Sequence, residues 1–319
     1  MILIITLSED IHALEVKSAA QQLGYPNIHI VECDRIALKA PLRLRLGQNP
    51  DRRPTGYFTT SDGLKIQVAE VGAIWMRRPR ADQLCLTTND PTEVEYINNE
   101  CRAGITSLLS SRCFKGKWVS HPDSTLRACD KILQLQVAQE CGFRIPKTLV
   151  SQSKAEVIEF HEACGGQIIA KPLLGVADPF LLTRRLENPR SLADEAYLAC
   201  PTIYQEFIPG TKHVRLNCFG TTQVAALIDS ENLDWRPDLN VPMSLWAIPP
   251  SVQDGVQKVL QALGLAMGII DLKLTPEGEV VWFEVNPQGQ FLFLEPLIKA
   301  GLSVRFARFL IDCAEESSH

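Results

Sequence analysis

Three hard oxygen donors lie close together in the C-terminal part of the chain: Asp271, Glu284 and Asn286. The segments Asp271-Leu272-Lys273-Leu274 and Val281-Trp282-Phe283-Glu284-Val285-Asn286-Pro287 flank a turn at Pro276-Glu277-Gly278. Strand alternation puts Asp271 and Lys273 on one face of the first arm and Glu284 and Asn286 on one face of the second. A hairpin therefore gathers two carboxylates and an amide. Completed by phosphate oxygens, such a donor set suits magnesium. The plainer alternative is a hairpin whose solvent face is merely polar.

Cations accompany these donors. Lys171 ends the run Ile168-Ile169-Ala170-Lys171-Pro172. An ammonium on a buried strand is costly unless an anion meets it, which makes a phosphate an economical partner; a lysine snorkelling at a sheet edge is the alternative. Lys131 falls early in a helix. Arg215 can meet two oxygens of an acyl phosphate or of a γ-phosphate with its planar guanidinium, or else form a cross-strand salt bridge. Lys273 either assists or pairs with Asp271. His213 titrates near neutrality and is a candidate base toward an incoming nucleophile, or a structural histidine. Ile203-Tyr204-Gln205-Glu206-Phe207-Ile208 is an apolar strand stopped by Pro209-Gly210, able to offer backbone groups and apolar contact to a flat base.

The elements that must position these residues can be read from periodicity. Ile2 to Leu7, Ile11 to Leu23 closed by Gly24, and Ile28 to Val31 spell strand, helix, strand. Thr6-Leu7-Ser8-Glu9-Asp10 has no glycines to admit a pyrophosphate, so a nucleotide has to bind elsewhere. Residues 39 to 63 form an excursion with a hairpin turn at Asp62-Gly63. Val71 to Met76 is a buried strand that delivers Arg77, Arg78 and Arg80 around Pro79. A helix is predicted from Pro91 to Ser110 and another from Ser124 to Cys141, closed by Gly142. Further on come a strand at Ile145 to Val150, a helix capped by Ser153, a strand at Gln167 to Pro172, and a strand at Thr202 to Ile208. A strand pair at Val214 to Asp229, a helix at Val252 to Leu263 and the hairpin Met267 to Asn286 complete the series. Leu173 to Arg185, with Gly175 and Asp178-Pro179, is a candidate lid. Its Arg184 and Arg185 either close on phosphate or lie at the surface.

In their order, Lys131, Ala170-Lys171-Pro172, Gln205-Glu206-Phe207-Ile208, Arg215, Asp271 and Glu284-Val285-Asn286-Pro287 resemble the ATP-grasp ligases over residues 121 to 300. The resemblance implies an α/β (α+β) ATP-grasp fold behind an N-terminal pre-ATP-grasp domain. The divisions expected are 1–120, a central lid subdomain at 121–205 and a C-terminal subdomain at 206–319. It implies ATP and two Mg2+ ions: Lys131 and Lys171 on the nucleotide phosphates, Glu206, Phe207 and Ile208 at the adenine, Asp271, Glu284 and Asn286 on the metals, and Arg215 and Lys171 in catalysis.

Trp75-Met76-Arg77-Arg78-Pro79, Asp234-Trp235-Arg236 and Asn286-Pro287-Gln288-Gly289-Gln290-Phe291 are similar to the graspetide, microviridin-type peptide maturases. That narrower resemblance implies a precursor peptide with a leader segment as partner. In those enzymes an Asp or Glu side chain is phosphorylated and then closed by a hydroxyl or amine into an ester or amide. Arg77, Arg78, Arg184, Arg185, His213 and Arg236 are the candidate substrate residues. The chain has Lys212-His213-Val214-Arg215 where that family has Asp-Ile/Leu-Arg, which removes an acidic group near the ribose or substrate. A ligase adding an amino acid to a peptide or protein terminus is the second reading, and a non-catalytic nucleotide- or peptide-binding protein the third.

Composition bounds the rest. Hydrophobic residues make up 45% and charged residues 22% of 319, an ordinary globular balance. The net charge of -5 gives no electrostatic footprint for nucleic acid. The ten cysteines include no C-x-x-C pair and read as reduced cytoplasmic thiols rather than as zinc or disulfide sites. The apolar opening is too short to span a bilayer and no basic residue precedes it, so no membrane partner is expected. A homodimer is the expected assembly.

Overall fold

A computed structural model describes residues 1–47, 54–79, 82–84, 86–174 and 183–317. The apolar run at the N-terminus forms β1 (Ile2–Thr6), buried throughout. It is followed by α1 (Ile11–Gln22), whose N-cap Asp10 accepts from the His12 amide, and by β2 (Ile28–Glu32). The excursion becomes a small antiparallel sheet of β3 (Arg43–Arg45), β4 (Thr55–Thr59) and β5 (Lys65–Gln67), with the Asp62-Gly63 turn joining the last two. Next come β6 (Ala73–Met76), α2 (Pro91–Ser110), capped by Asp90, and β7 (Lys117–Val119). The first main sheet is parallel, in the order β2-β1-β6-β7.

The helix predicted over Ser124 to Cys141 is two helices, α3 (Pro122–Arg127) and α4 (Lys131–Glu140). Asp130 breaks it, because its carboxylate caps α4 by accepting from the amides of Ile132 and Leu133. Beyond lie β8 (Thr148–Ser151), α5 (Lys154–Ala163), β9 (Ile168–Lys171), β10 (Arg184–Arg185), α6 (Asp194–Leu198) and β11 (Thr202–Glu206). They build a second sheet, β10-β9-β11-β8. β11 stops at Glu206 and does not continue to Ile208. Most of the candidate lid, residues 175–182, lies outside the described residues.

The third sheet, β14-β13-β12-β15-β16, is antiparallel. Its strands are β12 (Lys212–Phe219), β13 (Thr222–Asp229), β14 (Met243–Trp246), β15 (Met267–Leu274) and β16 (Val280–Asn286). α7 (Pro250–Leu263) precedes β15, and α8 (Glu295–Ile298) and α9 (Leu302–Glu316) end the chain. Gly264 closes α7 in the left-handed conformation at φ 70°, where a β-carbon would be strained.

Two packing relationships cross the expected divisions. Leu135, Val137 and Ala138 of α4 share a core with Val256, Val259 and Leu260 of α7 and Trp282 and Val285 of β16, so this helix packs with the C-terminal sheet although it precedes the central one. Phe306, Leu310 and Ala314 of α9 bury against Ile2, Ile4 and Trp75 of the first sheet and against Phe219 and Phe291, joining the two ends of the chain in one core. A large side chain fully buried there stabilises by about 1.5–3 kcal/mol through its removal from water.

Candidate functional site

The hairpin of β15 and β16 pairs Asp271 directly with Glu284. After that pair the register shifts: Leu272 lies opposite Trp282 and Lys273 opposite Val281, the mark of a bulge in β16 around Phe283. Asn286 lies opposite Ile269 at the exposed end of β16. On the other side of β15, strand β12 sets Arg215 against Asp271 and His213 against Lys273.

The open edge of β16 is closed by side chain and loop. Gln134 of α4, buried, donates to the Val285 carbonyl at 2.8 Å and accepts from the Val285 amide at 2.8 Å, and Trp282 N donates to Arg144 O at 2.9 Å. Gln134 thus holds the peptide unit between Glu284 and Asn286. It carried no signal in the sequence, since a glutamine on a helix is usually a surface residue.

A cleft open to solvent lies between the second and third sheets. Its lining includes Lys131, Lys171, Glu206, Phe207, Ile208, His213, Asp234, Arg236, Asp271, Lys273 and Glu284. The sequence-selected lysines and carboxylates therefore share one cavity with Glu206, Phe207 and Ile208, the hinge between the second and third sheets that was expected at the adenine. Lys131 Nζ donates to the Pro172 carbonyl at 3.1 Å. Burial lowers Lys171 to about 8 against an upward pull from Glu284, with Lys131 and Arg236 adding to the fall. Asp271 is pushed up by burial and by Glu284, and held back by Arg215. Arg215 Nη1 meets both Asp271 oxygens at 2.9 and 2.8 Å and its Nη2 donates to Gln290 O at 3.1 Å. Nε of Arg215 is buried with no partner among the described residues.

At the hinge end, Glu206 is fixed by Arg144 Nη2 at 3.0 Å and by the Lys147 amide at 3.1 Å. The amides of Glu206 and Phe207 donate to Lys147 O and Gln167 O, both at 2.9 Å. Neither is open to a ligand. The Arg185 guanidinium lies 3.7 Å from the Phe207 ring centroid, while Ile208 and Leu272 are buried. His213 Nε2 is 3.4 Å from Lys273 Nζ. Burial lowers Lys273 to about 8 and His213 to about 4, the latter with help from Lys273 and against an upward pull from Asp234, so His213 is neutral near pH 7. Lys273 is not the ion-pair partner of Asp271; Arg215 is.

The arginines expected to meet substrate divide. Arg236, on the loop between β13 and β14, points into the cleft, bound through Nε to Asp234 at 2.7 Å and with Asp271 and Glu284 within its electrostatic reach. Arg184 and Arg185 are exposed on β10. Arg78 is exposed at the end of β6, where its carbonyl accepts from Cys33 Sγ. Arg77 departs from expectation: its side chain is 0% exposed and its Nε donates to Asp10 at 2.7 Å, so no peptide reaches it.

Among the described residues, no three His, Cys, Asp or Glu side chains gather to hold a metal by themselves. Two carboxylates and an amide, beside lysines suited to phosphate, fit an ion that takes its remaining oxygens from a nucleotide and water. No helix among the described residues is long and apolar enough to cross a membrane.

No family model and no curated protein matches the chain. Solved structures do. The macrocyclase MdnC from Microcystis aeruginosa MRC, crystallised with precursor peptide MdnA, is 27% identical over 98% of this chain and 99% of its own, at a TM-score of 0.83. A RiPP-associated ATP-grasp ligase of Chryseobacterium gregarium, in complex with ADP and a leader and core peptide, gives 24% identity, coverages of 98% and 96%, and a TM-score of 0.85. The ATP-grasp ligase PsnB, complexed with a phosphomimetic variant of its minimal precursor, Mg and ADP, gives 19%, 98% and 98%, and 0.79. The chain has the ATP-grasp ligase fold, first domain included. Within that fold it resembles the RiPP-associated, graspetide-type macrocyclases.

Proposed function

We propose that the chain is an ATP-dependent, magnesium-requiring peptide ligase of the graspetide type. It phosphorylates an Asp or Glu side-chain carboxylate of a ribosomally made precursor peptide. It then closes the acyl phosphate onto a hydroxyl or amine of the same peptide, giving an ester or amide ring with ADP and phosphate released. The observation that carries the reading is the Asp271–Glu284 pair facing Lys171 in a single cleft with the hinge, in a chain matched end to end by MdnC.

A carboxylate is a poor electrophile, and transfer of the γ-phosphoryl group turns one oxygen into a leaving group. Catalysis here is the gathering of two anions and the neutralisation of the charge that develops between them. Lys131 and Lys171 hold the nucleotide phosphates. The base lies between Ile169 and Leu272 against Phe207 and Ile208, with the Ile208 amide as the hinge donor once those of Glu206 and Phe207 are spoken for. Asp271, Glu284 and Asn286 would hold magnesium, which would supply positive charge against the phosphate oxygens. Arg215 sits beside Asp271 to meet the transferring group, and Arg236 meets the peptide carboxylate from the β13–β14 loop.

The precursor docks through a leader segment, with exposed Arg78 a contact for it. The enzyme is a homodimer, cyclic dimers being the commonest assembly of such chains. It works in the cytoplasm: none of the described cysteines is in a disulfide, which supports a reducing compartment. With a net charge of -5 it has no nucleic-acid partner.

Mass spectrometry of the purified chain with ATP, magnesium and a candidate precursor tests the reading. Loss of one water per ring, dependent on ATP and abolished in Glu284→Gln without loss of fold, is the expected result. A mass gain matching an added amino acid, or unchanged turnover in Glu284→Gln, overturns it.

A further inference from the structure

The segment from Asn286 to Leu292, which carries one proposed metal ligand, is held by the first domain. Trp75 Nε1 at the end of β6 donates to Gln288 Oε1 at 2.9 Å. Arg77 Nη1 donates to the Gln288 carbonyl at 3.3 Å while its Nε is anchored on Asp10 at 2.7 Å. His12 Nε2 accepts from the amides of Phe291 and Leu292 at 3.2 and 3.3 Å. Within the segment, the Gln288 amide donates to Asn286 Oδ1 at 3.1 Å, so the side chain of Asn286 is aimed by the residue that Trp75 and Arg77 hold. Gly289 cannot carry a β-carbon, which would lie 2.7 Å from Ile269. The segment is therefore pressed against β15 on one side and hydrogen-bonded to the first domain on the other.

These groups are interior. The Arg77 side chain is fully buried and that of Asp10 is 4% exposed, so the ion pair reaches no solute. An ion pair removed from water contributes little net stability against an apolar replacement. What this one does is aim Nη1 at a single carbonyl, two residues beyond Asn286.

We propose that Asp10, His12, Trp75 and Arg77 are positioning residues for the magnesium site: the first domain fixes the loop that orients Asn286, and so sets the affinity of the cleft for the ion. The inference rests on the metal role of Asn286 stated above. It gives Arg77 a task in the reaction without contact to nucleotide or peptide.

The test uses the full chain and the magnesium concentration that gives half-maximal ADP binding, measured beside ADP affinity in the absence of the ion and the melting temperature. Arg77→Lys keeps a cation for Asp10 and loses the second arm to Gln288. Gln288→Met keeps the bulk and loses both the acceptor for Trp75 and its own donor. Each is expected to raise the magnesium midpoint about tenfold, the usual cost of a lost partner behind a metal ligand, with metal-free ADP affinity unchanged. Gln288→Met keeps the test intact should Arg77→Lys fail to fold. Unchanged midpoints in folded variants, with or without a lower melting temperature, overturn the positioning role alone. Wild-type ADP binding that is indifferent to magnesium overturns the metal site itself and this inference with it.

Discussion

Arg215 Nη1 lies 2.9 and 2.8 Å from the two carboxylate oxygens of Asp271, and the strand partner of Asp271 on its other side is Glu284. The guanidinium thus occupies the lone pairs that a metal would take, and it offsets the repulsion between two half-buried acids. In the metal role proposed for Asp271, loading the cleft would exchange one cation for another, and Arg215 would be freed toward the anion bound beside it.

That exchange makes the stability of an Arg215→Met variant depend on the ion. Without magnesium, Asp271 is left facing Glu284 with its charge unpaired, a loss below the roughly 3–5 kcal/mol of a fully buried pair because this one is part-exposed. Magnesium with ADP supplies the missing charge. The melting temperature of the variant is expected to rise more on their addition than that of wild type, although turnover stays low. Equal increments in the two proteins, read by thermal unfolding, would sink the exchange.

Gln134 gives a second prediction. Its amide satisfies both backbone groups of Val285 at the open edge of β16, and its Nε2 also donates to Ala128 O. Gln134→Leu keeps the approximate volume and leaves buried donors and acceptors without partners, at about 1–3 kcal/mol for each. A fall in the denaturant midpoint together with a raised magnesium requirement is expected. A variant as stable as wild type would show that water replaces the amide.

The acid limb of stability follows from two histidines. Burial lowers both His12 and His213 to about 4, assisted by Arg77 in the first case and Lys273 in the second. The unfolded chain protonates them near 6.5 and the folded chain only near 4, so between these values the unfolded state binds more protons. Their contribution is complete above pH 6.5 and is lost as pH falls toward 4, by roughly 2–3 kcal/mol apiece. Urea midpoints from pH 7 to 4.5 should decline, and His12→Gln should flatten the slope by up to one proton. A flat wild-type profile over this range contradicts the burial of both rings as neutral bases.

How much of this was legible in the sequence depended on whether a residue's partner was local. The Asp271 and Glu284 arms are thirteen positions apart across one turn, and a period of two sets their faces. The shift of register just after Asp271 was not legible, because an extra residue in a strand leaves no mark in composition. Lys171 was legible because a cation ending an apolar strand is itself anomalous. Arg77 was misread for the opposite reason: an arginine beside another arginine and a proline looks like a surface anion contact. What buries it is Asp10, 67 positions away in the same domain, and Gln288, 211 away, in a C-terminal segment that packs with α9 against the first sheet. Gln134 was silent because its use depends on β16 being an edge strand, a property of sheet order and not of any segment.

Lys171 provides the last prediction, through its lowered pKa. Burial brings the ammonium down to about 8 while Glu284 pulls the other way. A phosphate in contact favours the charged form, so ADP binding takes up a proton wherever the empty cleft holds Lys171 neutral. ADP affinity at fixed magnesium is therefore expected to fall as pH rises above 8, by up to tenfold per unit. Lys171→Arg retains its charge throughout and should remove the slope, whereas Lys171→Met should weaken binding at pH 7 by about 10- to 100-fold, the scale of a hydrogen bond to a charged group. Lys273 has a similar value and lines the same cleft, so Lys273→Met is the control: it should keep the slope. A slope that survives in Lys171→Arg and vanishes in Lys273→Met would move the phosphate contact from the end of β9 to β15, and the orientation of the nucleotide in the cleft with it.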